Sequence, residues 1–505
     1  MLSIRMETSG TSPIGGKRSF LVWFARHSWR RFAFVSAVLL IPVFWHRRIE
    51  AGDLPSHLYN TWLAQLIRQG KAPGLWIARQ WNNVFFDYLL SGFASVFSLR
   101  VAERMAVSIT VMIFFWGAFT LISVTTRRAV WNLVPLLAVV AYGWTFEMGF
   151  MNYYIALGLC FFALAFFLRG GYGLWLLSLC LVRLIWLAHP LGVIYLAGIA
   201  AYVTLAKMLH HRYHGYLLLA AGICLFGVRM FLARRYEVTW TRWGRYFIYN
   251  GADQMALFGR RYYLIYAVFG ALLLAALAVD ALSSWRDGSF WDTWWMPLQL
   301  YLAAAMASVL LPSLIWLPQY PEPLSYLTAR LSLVLIVLQC WMLAAIKPRK
   351  WHATGYAVIA IGFFTFLYID TGTLNGMEEQ VERSLAALPA GHRMVMEIGD
   401  KSRVVIEHIV DRACIGRCFS YENYEPATAQ FRVRAVPGNS IVTTQPARLS
   451  SGPSTEELVK ALDPPVFEIL VCEGSTANIC VRELSANDMK DLVEGNMSTL
   501  NSDRR

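Results

Sequence analysis

Acidic side chains are scarce in the first 372 residues of this chain, 13 against 31 Lys and Arg, and one of them stands where chemistry is feasible. The run Glu50-Ala51-Gly52-Asp53-Leu54-Pro55-Ser56-His57 puts a carboxylate and an imidazole four residues apart, one turn if a helix starts near Pro55. Such a pair can serve as a base and its orienting partner, or give two ligands to a metal ion. The same spacing fits a helix cap at Asp53 and an interfacial aromatic at His57. Glu147 and Asn152 lie at the ends of two apolar runs, and Glu147 could orient a hydroxyl, share a metal ion or simply close a short loop. His189 precedes Pro190, which breaks a helix there, and Arg183 sits six residues deeper, about 9 Å along a helix axis. A buried arginine in a membrane span is costly and points to function, such as holding a phosphate, or to a paired acid. Arg330 follows the Pro-rich stretch 318–323 and is a second phosphate candidate, with Glu322 near enough in sequence to neutralise it.

The elements that must position these residues are membrane helices. The 505-residue chain is 57% hydrophobic and 15% charged, with mean hydropathy +0.45. A soluble domain carries about 25% charged residues. Apolar runs near 32–45, 105–124, 130–146, 151–168, 172–188, 190–208, 215–233, 262–282, 295–317, 324–346 and 352–369 predict eleven spans. The basic segment 1–31 then lies in the cytoplasm, and the domains read as 1–31, a membrane domain 32–370 with a first outer loop 46–104, and a tail 371–505. The segment 84–99, which holds Asp87, is expected to be interfacial or re-entrant. The helix expected over 54–69 carries a stripe of Leu54, Leu58, Trp62 and Leu66 and should lie in the outer interface. Arg127-Arg128, Arg169, the stretch from Lys207 to His214, Arg286 and the stretch from Lys347 to Lys350 fall inside in this topology. The loop 234–261 breaks the rule, with Arg234, Arg235, Arg242, Arg245, Arg260 and Arg261 among Trp240, Trp243, Tyr246 and other aromatics. That pattern suits phosphate and sugar contacts or an amphipathic helix on anionic lipid.

The net charge changes from +18 over residues 1–372 to −5 over residues 373–505. The tail shows β-like runs at 393–398, 403–409, 431–436, 440–444 and 466–472 and a capped helix at 455–462, which predicts a small α+β domain. Cys414, Cys418, Cys472 and Cys480 lie in it. An even count outside the membrane suggests two disulfides, 414–418 with 472–480 being the local pairing among three; a four-Cys zinc site is the rival. There is no Walker loop, no dinucleotide fingerprint, no nucleophile elbow and no His-Glu-x-x-His, so a nucleotide-driven pump and a zinc protease lack support. Basic residues are scattered, with no nucleic-acid module.

Four stretches resemble a known family. GDLPSHLYNTWLAQLIRQGKAPGLW, TFEMGFMNYYIALGL (145–159), LPAGHRMV (388–395) and CFSYENYEPATAQFRVRA (418–435) resemble the GT-C membrane glycosyltransferases, in a bacterial branch with an Asp-x-x-x-His first loop and an extracytoplasmic tail. The resemblance implies transfer of a sugar from a polyprenyl-phosphate donor to a glycan, lipid or protein acceptor outside a bacterial cytoplasmic (inner) membrane. It maps the family's essential first-loop acid onto Asp53, as general base or as ligand to a divalent cation, Mg or Mn. The paired acids of better-known branches are missing, since Gly52 precedes Asp53. The full expectation is Asp53, His57 and Glu147 in catalysis, with Arg183, Arg330, His189 and Asn152 on the donor phosphate. A transporter or lipid flippase, or a non-enzymatic anchor for the tail, are the alternatives.

Overall fold

Seven helices among the described residues are long and apolar enough to cross a membrane: Leu99–Thr125, Met151–Arg169, Pro190–Met208, His211–Arg235, Tyr262–Asp280, Leu327–Ala345 and Lys350–Ala386. The structure is a computed structural model and describes residues 29–242, 249–286, 294–320, 323–397, 408–421, 423–428, 430–436, 439–442, 465–472 and 479–488. The basic segment 1–28, Trp243, Arg245 and Tyr246, Glu322, the strand expected over 403–407 and the helix expected at 455–462 lie outside them. The other four expected spans are shorter or interrupted. Tyr172–Ala188 and Trp295–Leu310 are apolar helices below span length. The first run is a helix Trp29–Leu39 and a turn Ile41–Phe44, parted where Pro42 removes a backbone donor. The run 130–146 divides into Trp131–Leu133, Val134–Val140 and Trp144–Glu147.

The centre of the bundle is the pairing of Leu99–Thr125 with Met151–Arg169. A Cβ on Gly158 would stand 2.7 Å from Phe114 Cα, so glycine lets the two backbones meet. Apolar side chains of Pro190–Met208, Leu327–Ala345 and the 37-residue helix Lys350–Ala386 complete this core. That last helix runs unbroken through 370–371, the boundary expected between membrane domain and tail. Its final turns belong to both.

The tail carries a four-stranded sheet in the order Phe419–Ser420, Arg393–Glu397, Val466–Val471, Ile479–Glu483. The first three strands are parallel and the last antiparallel. Helix Ile409–Cys414 stands where part of the expected 403–409 strand would be, and the described part of 440–444 is bent rather than extended. Cys414–Cys418 and Cys472–Cys480 are disulfide-bonded, which removes the zinc alternative. The tail is not an appendage. Strand Leu75–Ile77 of the first loop pairs antiparallel with Val433–Ala435 of the tail.

The helix Leu54–Arg68 forms as expected but does not lie on lipid. Leu54 and Leu58 join the bundle core, whereas Tyr59, Leu63 and Ala64 join a second core with Val381, Leu385, Ile409 and Val410. Two apolar faces on one helix demand cover on both sides, and the tail supplies the second.

Candidate functional site

The bundle, the first loop and the tail meet around Asp53. Asp53 holds the position before helix Leu54–Arg68 with helical backbone angles, and its side chain makes no cap bond. Its carboxylate is therefore not consumed by the helix end, and 23% of the side chain is exposed. The backbone is pinned instead. Gly52 N donates to Glu147 O at 2.7 Å and Asp53 N to Met148 O at 3.1 Å. Gly149, at φ +78, makes this possible, because a Cβ there would press on the Asp53 amide and come within 2.8 Å of Leu54 N. Gly149→Ala adds the strain of a positive φ to that collision. It should lower the thermal stability of the purified protein by several degrees, whereas Gly227→Ala, which meets nothing within 4 Å, should not.

His57 lies one turn on, as its spacing implies, but its ring turns to another acid. His57 Nδ1 is 2.8 Å from Asp87 Oδ1 and 3.9 Å from Glu425 Oε1. Asp87 sits in the ten-residue helix Phe85–Ala94, too short to cross about 30 Å of hydrocarbon. Asn152 locks that helix: Phe86 N donates to Asn152 Oδ1 at 2.7 Å, and Asn152 Nδ2 donates to Asp87 Oδ2 at 3.1 Å. Asn152 thus positions the His57–Asp87 pair.

The tail closes the other side. His408 Nε2 is 3.6 Å from Asp53 Oδ1, and His408 Nδ1 is 3.1 Å from Asp411 Oδ2. Glu425 arrives on the short helix Tyr424–Thr428, which an amide pair anchors: Asn423 Nδ2 donates to Asn60 Oδ1 at 2.9 Å, and Asn60 Nδ2 to Asn423 Oδ1 at 3.2 Å. Arg432 donates to Ser91 Oγ at 2.8 Å, and its charge acts on both Asp87 and Glu425.

Burial opposes a charge on His57, but Asp87, then Glu425 and Asp53, outweigh it and lift its pKa to about 9. Burial also lifts Glu425, against the pull of His57, to about 8. Asp87 is held below its ordinary value: burial works against its charge, and His57 overcomes it. At neutral pH the site therefore holds an imidazolium, an ionised Asp87 and a protonated Glu425. The sign of the linkage is the same for both raised groups. The His57 contribution to stability is complete below about pH 6.5 and is lost as pH rises through about 9, and the raised Glu425 pKa lowers stability between about pH 4.5 and 8. Hydrogen-exchange protection of residues 423–428 should accordingly fall from pH 6.5 to 9, with Glu425→Gln removing the lower part of that dependence.

Arg330 occupies the bundle side. Its guanidinium lies 4.2 Å from the centre of the Phe150 ring, Nη1 donates to Ser325 O at 3.1 Å, and its buried Nε has no hydrogen-bond partner among the described residues. Asp53 is the first of the groups whose charge acts favourably on it. Tyr153 donates to Arg330 O at 2.9 Å, and the Tyr153 ring meets His189 edge to face at 5.5 Å. His189 caps helix Pro190–Met208 by accepting from Leu191 N at 3.2 Å, so it closes a helix beside Arg330.

Two expected residues stand elsewhere. Arg183 is exposed on the outer face of Tyr172–Ala188, not buried in the bundle, because Ile185 and Ala188 take the inward positions of that helix. Glu147 lends its backbone carbonyl to Gly52, the residue before Asp53, but Glu147 itself is 2% exposed and the electrostatic neighbours of its carboxylate are Glu50 and Asp370. Among the described residues no three His, Cys, Asp or Glu side chains converge as metal ligands. Asp87, His408, Asp411 and Glu425 were not singled out from the sequence. An acid inside the apolar segment 84–99 was the one available signal. No family model, curated protein or solved structure matches this chain.

Proposed function

We propose that the chain is a membrane glycosyltransferase of GT-C type, which moves a sugar from a polyprenyl-phosphate donor to an acceptor hydroxyl on the extracytoplasmic face. The observation that carries this reading is Asp53. Its carboxylate is free of the helix end, partly exposed, and within electrostatic reach of Arg330 at the outer end of a span. Asp53 takes the proton of the acceptor hydroxyl; the oxygen bonds to the anomeric carbon as that carbon's bond to the phosphate oxygen breaks; the lipid phosphate leaves with its electron pair. Arg330 offsets the charge that grows on the leaving phosphate. Two disulfides in the tail support an oxidising compartment, hence a tail outside a bacterial cytoplasmic membrane and a cytoplasmic N-terminus.

The test is mass spectrometry of lipid-linked sugars and surface glycans in deletion cells carrying wild type or Asp53→Asn at matched membrane abundance. An unspent donor and a glycan short by one residue support the reading, and the missing mass names the sugar. If the mutant behaves as wild type while the deletion differs, Asp53 is structural, and transport or anchoring takes its place.

A further inference from the structure

The transfer as written leaves the proton on Asp53, and the base must be reset. The tail holds a group placed to do this. The imidazole of His408 stands between two carboxylates, Asp53 at 3.6 Å from Nε2 and Asp411 at 3.1 Å from Nδ1. Asp411 is 2% exposed. It sits on helix Ile409–Cys414, whose next residue, Arg412, is tied to Glu103 and Glu378 at 3.1 Å each, and whose last residue is disulfide-bonded to Cys418. The Tyr424 ring lies against the imidazole at 5.2 Å between centres. Of the described residues facing the ring, Asp53, Asp411 and Tyr424 are the titratable ones that these contacts identify.

This is the arrangement of a relayed base. With Nδ1–H donated to Asp411, the lone pair of Nε2 faces Asp53. A buried carboxylate behind an imidazole selects that tautomer and stabilises the imidazolium when it forms. We infer that His408, oriented by Asp411, is the positioning residue for Asp53 and receives the proton that Asp53 takes from the acceptor. The O–H bond on Asp53 breaks as the N–H bond on His408 Nε2 forms, and Asp53 is again an anion. The tail domain is then part of the transfer apparatus. The inference rests on Asp53 being the base.

The full chain in lipid nanodiscs, labelled with 13C-histidine, tests the contact without any substrate. The His408 signal is assigned by its loss in His408→Gln. Asp53→Asn and Asp411→Asn should each lower its titration midpoint by about one pH unit; an unmoved midpoint in Asp53→Asn overturns the inference. The cell assay tests the consequence. His408→Gln cannot carry a proton and should lower transfer tenfold or more at wild-type abundance with both tail disulfides formed, and Asp411→Asn should fall between it and wild type. If His408→Gln transfers normally while Asp53→Asn does not, the relay is wrong and Asp53 stands as base. If Asp53→Asn also transfers normally, both fall.

Discussion

Asp53→Asn should lower sugar transfer by about 10²- to 10⁴-fold, the range a positioned general base supplies, in a protein that is folded and abundant. The carboxylate makes no cap bond, and the backbone bond from Asp53 N to Met148 O does not involve the side chain. Asparagine has the same shape and is itself a favoured residue before a helix. The substitution should thus leave the protein folded, at a cost of about 1 kcal/mol for the charge lost beside Arg330 and His408, the equivalent of about one pH unit in a neighbour's midpoint. The measurement is the ratio of unspent lipid-linked donor to finished glycan, beside a thermal-shift trace of the purified mutant. Arg330→Gln should act differently. In the proposed role it removes the charge that would offset the leaving phosphate, so raising the donor level in the cell should recover part of its loss but none of that in Asp53→Asn.

Arg412→Met should be the most damaging change for stability. Arg412 joins the tail to three other segments: Glu103 on helix Leu99–Thr125, Glu378 on the long helix Lys350–Ala386, and Ile49 O in the first loop at 2.7 Å. Arg48 binds the same Glu378 at 3.2 Å and Glu382 at 2.5 Å. Removing Arg412 takes the ion pair from buried Glu103 and leaves Glu378 with Arg48 alone, and breaking a buried pair costs about 3–5 kcal/mol. The tail should then open, and limited proteolysis should cut between the long helix and the sheet at temperatures where wild type is resistant. Arg47→Ala is the control. Arg47 reaches Glu379 and Glu382 at 3.7 and 3.9 Å with half its side chain exposed, and such pairs contribute about 0–1 kcal/mol. Equal resistance of Arg412→Met and Arg47→Ala would show that the network does not hold the tail.

The membrane class was legible because it depends on a sum over the chain. Long apolar runs need no tertiary contacts to be recognised, and seven of them are helices of span length. The interrupted runs at 29–44 and 131–147 were harder, since composition reports hydrophobicity and not where a proline or glycine parts the helix. The helix at 54–68 was legible from its stripe. Its surroundings were not, because a second apolar face reads equally as lipid contact or as a protein interface. The disulfide pairing was open among three until the strands Val466–Val471 and Ile479–Glu483 brought Cys472 and Cys480 to one end of a hairpin.

The sequence by itself determined that this is a helical membrane protein with a polar, cysteine-bearing tail, and that Asp53 is a rare acid at the start of the helix that follows the first apolar run. Those facts follow from composition and local spacing. Only the tertiary structure decided which groups face that acid. His57 was four residues away and belongs to Asp87; His408 was 355 residues away and stands 3.6 Å from it. Periodicity can say which residues share a helix face, but not which distant segment the other face must be covered by, and here that cover carries half of the site.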